Sequence, residues 1–166
     1  MLEFSLEGQA ELSASLAALP DNLRAALTDK IDALAQNLLA QIVGVNLSGG
    51  VLNARTGALR DSIQLRNDQQ DDVQSVEIFS DGSVPYAEIH EYGGKTAAHE
   101  IIPDKAKALA FMLGGKQTFA RRVQHPGSNI PERSYMRSAL DEQGGDIAQV
   151  LTETLILLVQ QAKDNE

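Results

Sequence analysis

The chain is 166 residues long, 43% hydrophobic and 22% charged, and carries a formal net charge of −9 at neutral pH. This composition excludes the disordered and fibrous classes and supplies enough chain for one ordinary core. The absence of cysteine removes disulfides, thiolate zinc sites and cysteine nucleophiles together and suits a reducing compartment. The acidic balance argues against sequence-independent DNA binding, which depends on Lys and Arg neutralising phosphates.

The charge is unevenly spread. Residues 1–94 hold 5 basic and 14 acidic side chains, residues 95–137 hold 8 and 3, and residues 138–166 hold 1 and 6. Patches of opposite sign fit copies that meet front to back, because complementary charge steers and registers association. Solvation of separate faces is the alternative reading. The opening residues Met1 to Glu7 lack the basic flank and apolar core of a secretory signal, and no apolar run approaches the roughly 18 residues of a membrane span.

In chain order, Leu2, Phe4 and Leu6 alternate with polar residues and predict a short strand, and Leu12, Leu16 and Leu19 predict a short helix over 9–18. Leu23, Leu27, Ile31, Leu34, Leu38, Ile42 and Val45 then form one apolar stripe, which predicts a long helix over about 20–47 packed on a sheet. Pro20 suits its first turn, Asp21 complements its dipole and Ser48-Gly49-Gly50 stops it. Two alternating segments, 62–66 and 73–79, predict an antiparallel hairpin joined by the polar stretch 67–72.

A further hairpin is expected within the sheet region 62–124, with one strand over 106–113, a Gly114-Gly115 turn and a return over 117–124. The Ala-rich segment 105–113 also permits a helical turn. Two helices are expected over about 131–163. Pro131 starts the first, Gly144-Gly145 breaks it and Asp146 caps the second. The run Leu155 to Val159 is more apolar than a one-sided surface helix requires, so it is either deeply packed or covers a neighbouring subunit.

The motifs of enzyme chemistry are incomplete. His90-Glu91 and His99-Glu100 lack the second histidine four residues on that would place two metal ligands on one helical face. Gly93-Gly94-Lys95-Thr96 ends like a phosphate loop, yet Ile89 stands where its first glycine belongs. No G-x-S-x-G elbow occurs. Asn46-Leu47-Ser48 fits a glycosylation sequon. Lys116, Arg121, Arg122 and His125 form the best basic cluster, with Phe119 alone interleaved, a poor base-stacking platform. The expectation is no catalytic residue, no cofactor and no metal.

Four segments in fixed order carry a family resemblance. They are Thr56-Gly57-Ala58-Leu59-Arg60-Asp61-Ser62-Ile63, then Val84-Pro85-Tyr86-Ala87-Glu88-Ile89-His90-Glu91-Tyr92-Gly93, then Ile102-Pro103-Asp104-Lys105-Ala106-Lys107-Ala108-Leu109. The last is His125-Pro126-Gly127-Ser128 with Ile130-Pro131-Glu132-Arg133-Ser134-Tyr135-Met136. No segment is specific alone; the order is what distinguishes them. The series resembles the bacteriophage virion-morphogenesis and minor tail-component proteins of tailed-phage necks and tails.

The resemblance implies one α+β domain over 1–166, with a small mixed or antiparallel sheet against the long N-terminal helix and two C-terminal helices. It implies a non-enzymatic virion protein, present in the host cytoplasm during assembly, that forms a ring at the head–tail junction or tail end. Its expected partners are copies of itself and adjoining neck or tail proteins, with DNA passing through a lumen and no membrane. Lys116, Arg121, Arg122, Leu155, Leu158 and Val159 are the candidate subunit contacts. Ser134 and Tyr135 depart from the usual proline and phenylalanine, which leaves neck protein, tail terminator and completion protein open. A nucleic-acid-binding regulator using residues 116–125 is the alternative function.

The motif residues also read as fold punctuation. Thr56 can cap a helical turn through Asp61. Pro85 biases Val84 towards extended backbone and puts Tyr86, Ile89 and Tyr92 on one face of a short helix ended by Gly93. His125-Pro126-Gly127 reads as a turn.

Overall fold

The long apolar stripe forms its helix. In the computed structural model, which describes residues 20–70 and 73–164, α1 spans Asp21–Gly44. Its 24 residues run about 36 Å at 1.5 Å per residue. Pro20 is the residue before the first turn rather than within it, with ψ at 147°, and its carbonyl accepts the N–H groups of Leu23 and Arg24 at 3.0 Å. The helix stops at Gly44, short of the expected 47, and a 3-10 turn, Asn46–Ser48, follows. Val45 leaves the stripe and is 48% exposed. The strand and helix expected within 2–18 lie outside the described residues.

A single helical turn, α2 (Ala58–Asp61), leads into β1 (Ile63–Gln70), which pairs antiparallel with β2 (Val73–Ser80). The hairpin is longer than expected. Asn67 to Gln70 continue the ladder, to the pair Gln70↔Val73, rather than forming a loop. The side chains at positions 66 and 67 are exposed and have partners. Arg66 pairs with Glu77 opposite and lies 4.9 Å over the Phe79 ring, and the Asn67 amide donates to Asp32 Oδ1 of α1 at 3.0 Å.

The chain divides into two compact units, one ending at Ala87 and resuming at Ser134, the other Glu88–Arg133. The first unit closes with the 28-residue helix α4, Arg137–Asp164, which corrects the expectation of two helices. Gly144, Gly145 and Asp146 lie inside one helix, and Pro131 lies before it. Two interior glycines cost about 1 kcal/mol each relative to alanine, a preference that packing along α1 overrides. One core holds Ile42, Leu47, Leu52, Ile63, Tyr135 and Ala139; a second joins Leu23 to Leu158, with Leu27 and Ala162 against them. The α1 stripe therefore faces α4 as well as the hairpin, and not a sheet alone.

The second unit holds most of the helix α3 (Ala87–Tyr92) and three nested antiparallel ladders. β3 (Gly94–Lys95) pairs with β8 (Asn129–Ile130), β4 (His99–Ile101) with β7 (Val123–His125), and β5 (Leu109–Leu113) with β6 (Lys116–Ala120). The outer two share one register: five residues inward from Gly94↔Ile130 on each strand lies His99↔His125. They form one interrupted hairpin, with β5–β6 as its end. Leu109–Leu113 is a strand, which decides against the helical turn. Helices and small antiparallel ladders make the fold α+β, and no parallel pairing occurs among the described residues.

Candidate assembly surfaces

The first motif builds the entrance to β1. Thr56 Oγ1 accepts the Ala58 N–H at 3.3 Å, and Gly57 takes φ +82° to start α2. Leu59 packs on the core. The buried Ser62 hydroxyl donates to Leu59 O at 2.8 Å and meets Ser80 Oγ at 3.0 Å across the hairpin. Arg60 is exposed beside Asp61. These residues shape the fold.

In the second motif Pro85 is exposed, Val84 is buried and its carbonyl accepts the Ala87 N–H at 3.1 Å. Ala87 is buried, and its carbonyl accepts the Tyr135 hydroxyl at 3.4 Å. Glu91 is 5% exposed, whereas Tyr86 and Tyr92 are 43% and 64% exposed. Gly93 ends α3 at φ +69°, where a Cβ would sit 2.8 Å from Glu132 N.

The remaining motifs belong to the interrupted hairpin. Pro103 lies between β4 and β5, and Leu109 opens β5 half-buried. His125 Nδ1 accepts the Gly127 N–H at 3.0 Å, and Gly127 bends at φ +87° so closely that a Cβ would stand 2.1 Å from Thr96 O. Pro126 and Pro131 are exposed, and the Arg133 N–H donates to His90 O at 2.8 Å. The imidazoles of His99 and His125 stack with centroids 5.0 Å apart. His90 is elsewhere, on α3. No group of three or more His, Asp or Glu side chains suited to a metal ion occurs among the described residues.

No family model, curated protein or solved structure matches this chain. The functional reading rests on its own residues.

The candidate contact residues separate into two places. Lys116 is exposed at the β5–β6 turn, and Arg121 and Arg122 are exposed at the base of that ladder, between β6 and β7, Arg122 Nη1 3.3 Å from Glu100 Oε1. On α4, Leu158 is buried against Leu23, which takes it out of any surface for another copy, and Leu155 is half-buried. Val159 is exposed, beside Ile156 and Leu157, so the apolar run is packed on one face only.

Three features escaped the sequence reading. Met112, Leu113 and Phe119 are 65–67% exposed at the hairpin end. A pocket of about 550 Å³ opens between the end of α1 and the first turns of α4, lined by Val45, Gly50, Val51, Asp141 and Glu142 among others. Asn46 is buried, and its amide donates to Tyr135 O at 2.8 Å and Ser138 Oγ at 3.2 Å. The sequon amide is thus an internal tie. A polar residue next to the buried end of an apolar stripe was the available signal for it.

Proposed function

We propose that this chain is a non-enzymatic structural protein of a phage or prophage neck or tail, assembled through contacts between its copies. The observation that carries the reading is the coincidence of charge with architecture. The unit Glu88–Arg133 contains seven of the 14 basic residues but only five of the 23 acidic ones, so the rest of the chain is strongly acidic. Surfaces of opposite sign on one chain favour heterologous contacts, which close into rings when the rotation per copy closes. The resemblance of the four ordered segments to neck and tail proteins of tailed phages supports a head–tail or tail-end position. No helix among the described residues is long and apolar enough to cross a membrane.

The test is immunogold labelling of virions from the source of this chain with antiserum against it. Label at the head–tail junction or tail end is expected. Purified virions that carry no label, and no detectable chain by mass spectrometry, would overturn the assignment.

A further inference from the structure

We infer that the β5–β6 hairpin end of one copy docks in the α1–α4 pocket of a second copy, an inference that rests on the assembly reading above. The hairpin is built to project a surface. Gly114 and Gly115 take φ +58° and +80°, the two positive values of the tightest two-residue turn, and they fix the register Leu113↔Lys116. Alternation then assigns the faces. Leu109, Phe111, Thr118 and Ala120 point to the half-buried side, and Ala110, Met112, Gln117 and Phe119 to the exposed one. Met112 and Phe119 are diagonal neighbours there, close enough to form one apolar patch.

A two-stranded ladder is marginal by itself in water, and β5 and β6 pair only with each other among the described residues. An exposed aromatic on such a ladder favours a partner that buries it, since an aromatic side chain buries about 150–250 Å².

The pocket has the matching chemistry. Val45 and Val51 supply apolar wall, and the absence of a side chain on Gly50 leaves room beside Val45, whose carbonyl a Cβ there would approach to 2.9 Å. Asp141 and Glu142 supply two carboxylates. Residues 105–122, the β5–β6 ladder with the segments at its base, carry five basic side chains and no acidic one. Lys116 is at the turn and Lys105, Lys107, Arg121 and Arg122 are at the base, so the arm brings cations to the carboxylates flanking the valines that receive Met112 and Phe119. The Arg122–Glu100 pair does not withdraw Arg122, because ion pairs this exposed contribute little. Arm and pocket are built from different residues, so the contact is heterologous and each copy offers one of each.

The cysteine-free sequence allows a direct test. Met112→Cys and Val45→Cys chains are mixed and oxidised, and sedimentation velocity is run on the wild type in parallel. A disulfide-linked heterodimer is expected from the mixture, no homodimer from either variant alone, and a ladder of multimers from the double variant. Arg121→Glu with Arg122→Glu is expected to lower the cross-link yield at least tenfold. Adding Asp141→Lys with Glu142→Lys on the partner chain should restore it. Homodimers of Met112→Cys alone, or a cross-link confined within one double-variant chain, would overturn the inference. Wild-type oligomers with no arm-to-pocket cross-link would overturn it while leaving the assembly reading intact; the virion labelling reports on that reading separately.

Discussion

The side-chain amide of Asn46 donates to the main-chain carbonyl of Tyr135, 89 residues later, at 2.8 Å. Asn46 starts the 3-10 turn after α1, and Tyr135 lies two residues before α4. This bond and the one to Ser138 hold the end of one long helix against the beginning of the other. Asn46→Ala removes both of these hydrogen bonds, each worth about 0.5–1.5 kcal/mol. Urea denaturation followed by circular dichroism should show a lower midpoint with an unchanged slope. An unchanged midpoint would mean that water replaces the amide without loss.

Gly127 and Gly82 have nearly the same backbone, at φ +87° and +80°, in different surroundings. A Cβ on Gly82 meets nothing within 4 Å, whereas one on Gly127 stands 2.1 Å from Thr96 O. Gly82→Ala should therefore cost only the left-handed backbone term of about 1–2 kcal/mol. Gly127→Ala should in addition break the Thr96–Ser128 bonds at 2.9 and 2.7 Å. Hydrogen exchange of the Thr96 amide distinguishes them: protection lost in Gly127→Ala and kept in Gly82→Ala is the expected pattern.

Gly144 and Gly145 are interior to α4, and a Cβ on either meets nothing within 4 Å. Replacing both with alanine should stabilise the chain by about 1–2 kcal/mol through helix propensity and a less flexible unfolded state. A rise in the thermal midpoint checks this. A fall would show that the glycines permit a bend needed for packing on α1.

Asp81 titrates below its ordinary value of 3.8, because the Ser83 side chain and then the Ser83 N–H, at 2.8 Å, hydrogen-bond its carboxylate. A carboxyl depressed in the folded state contributes stability above its unfolded value and loses it as pH falls through the folded one. NMR titration should place the midpoint below 3.8 in the wild type and move it upward in Ser83→Ala. An equal midpoint in the two proteins would contradict the assigned cause.

Much of the fold was legible because its signals are local. The spacing from Leu23 to Ile42 and the alternation at Ile63, Leu65, Val76 and Ile78 are periodicities that a short window contains. The Gly114-Gly115 turn is equally local. The errors have a common form. Gly144-Gly145 broke a pattern that tertiary packing carried through, and the polar run 67–70 continued the β1–β2 ladder, with Asn67 tied to Asp32 of α1 across space. The candidate surfaces were half legible. Basic residues at 116–122 stand out in one dimension, whereas the pocket joins residues about 100 positions apart.

The amino-acid order by itself determined the elements, the charge division and the turn chemistry, since each depends on residues within a few positions of one another. Only the tertiary structure decided that Leu158 is core while Val159 is surface, that Asn46 is an internal tie, and that Met112 and Phe119 share one exposed face. Those outcomes depend on which distant segments exclude water from a given side chain, and water exclusion is a property of the packed chain rather than of any stretch of it.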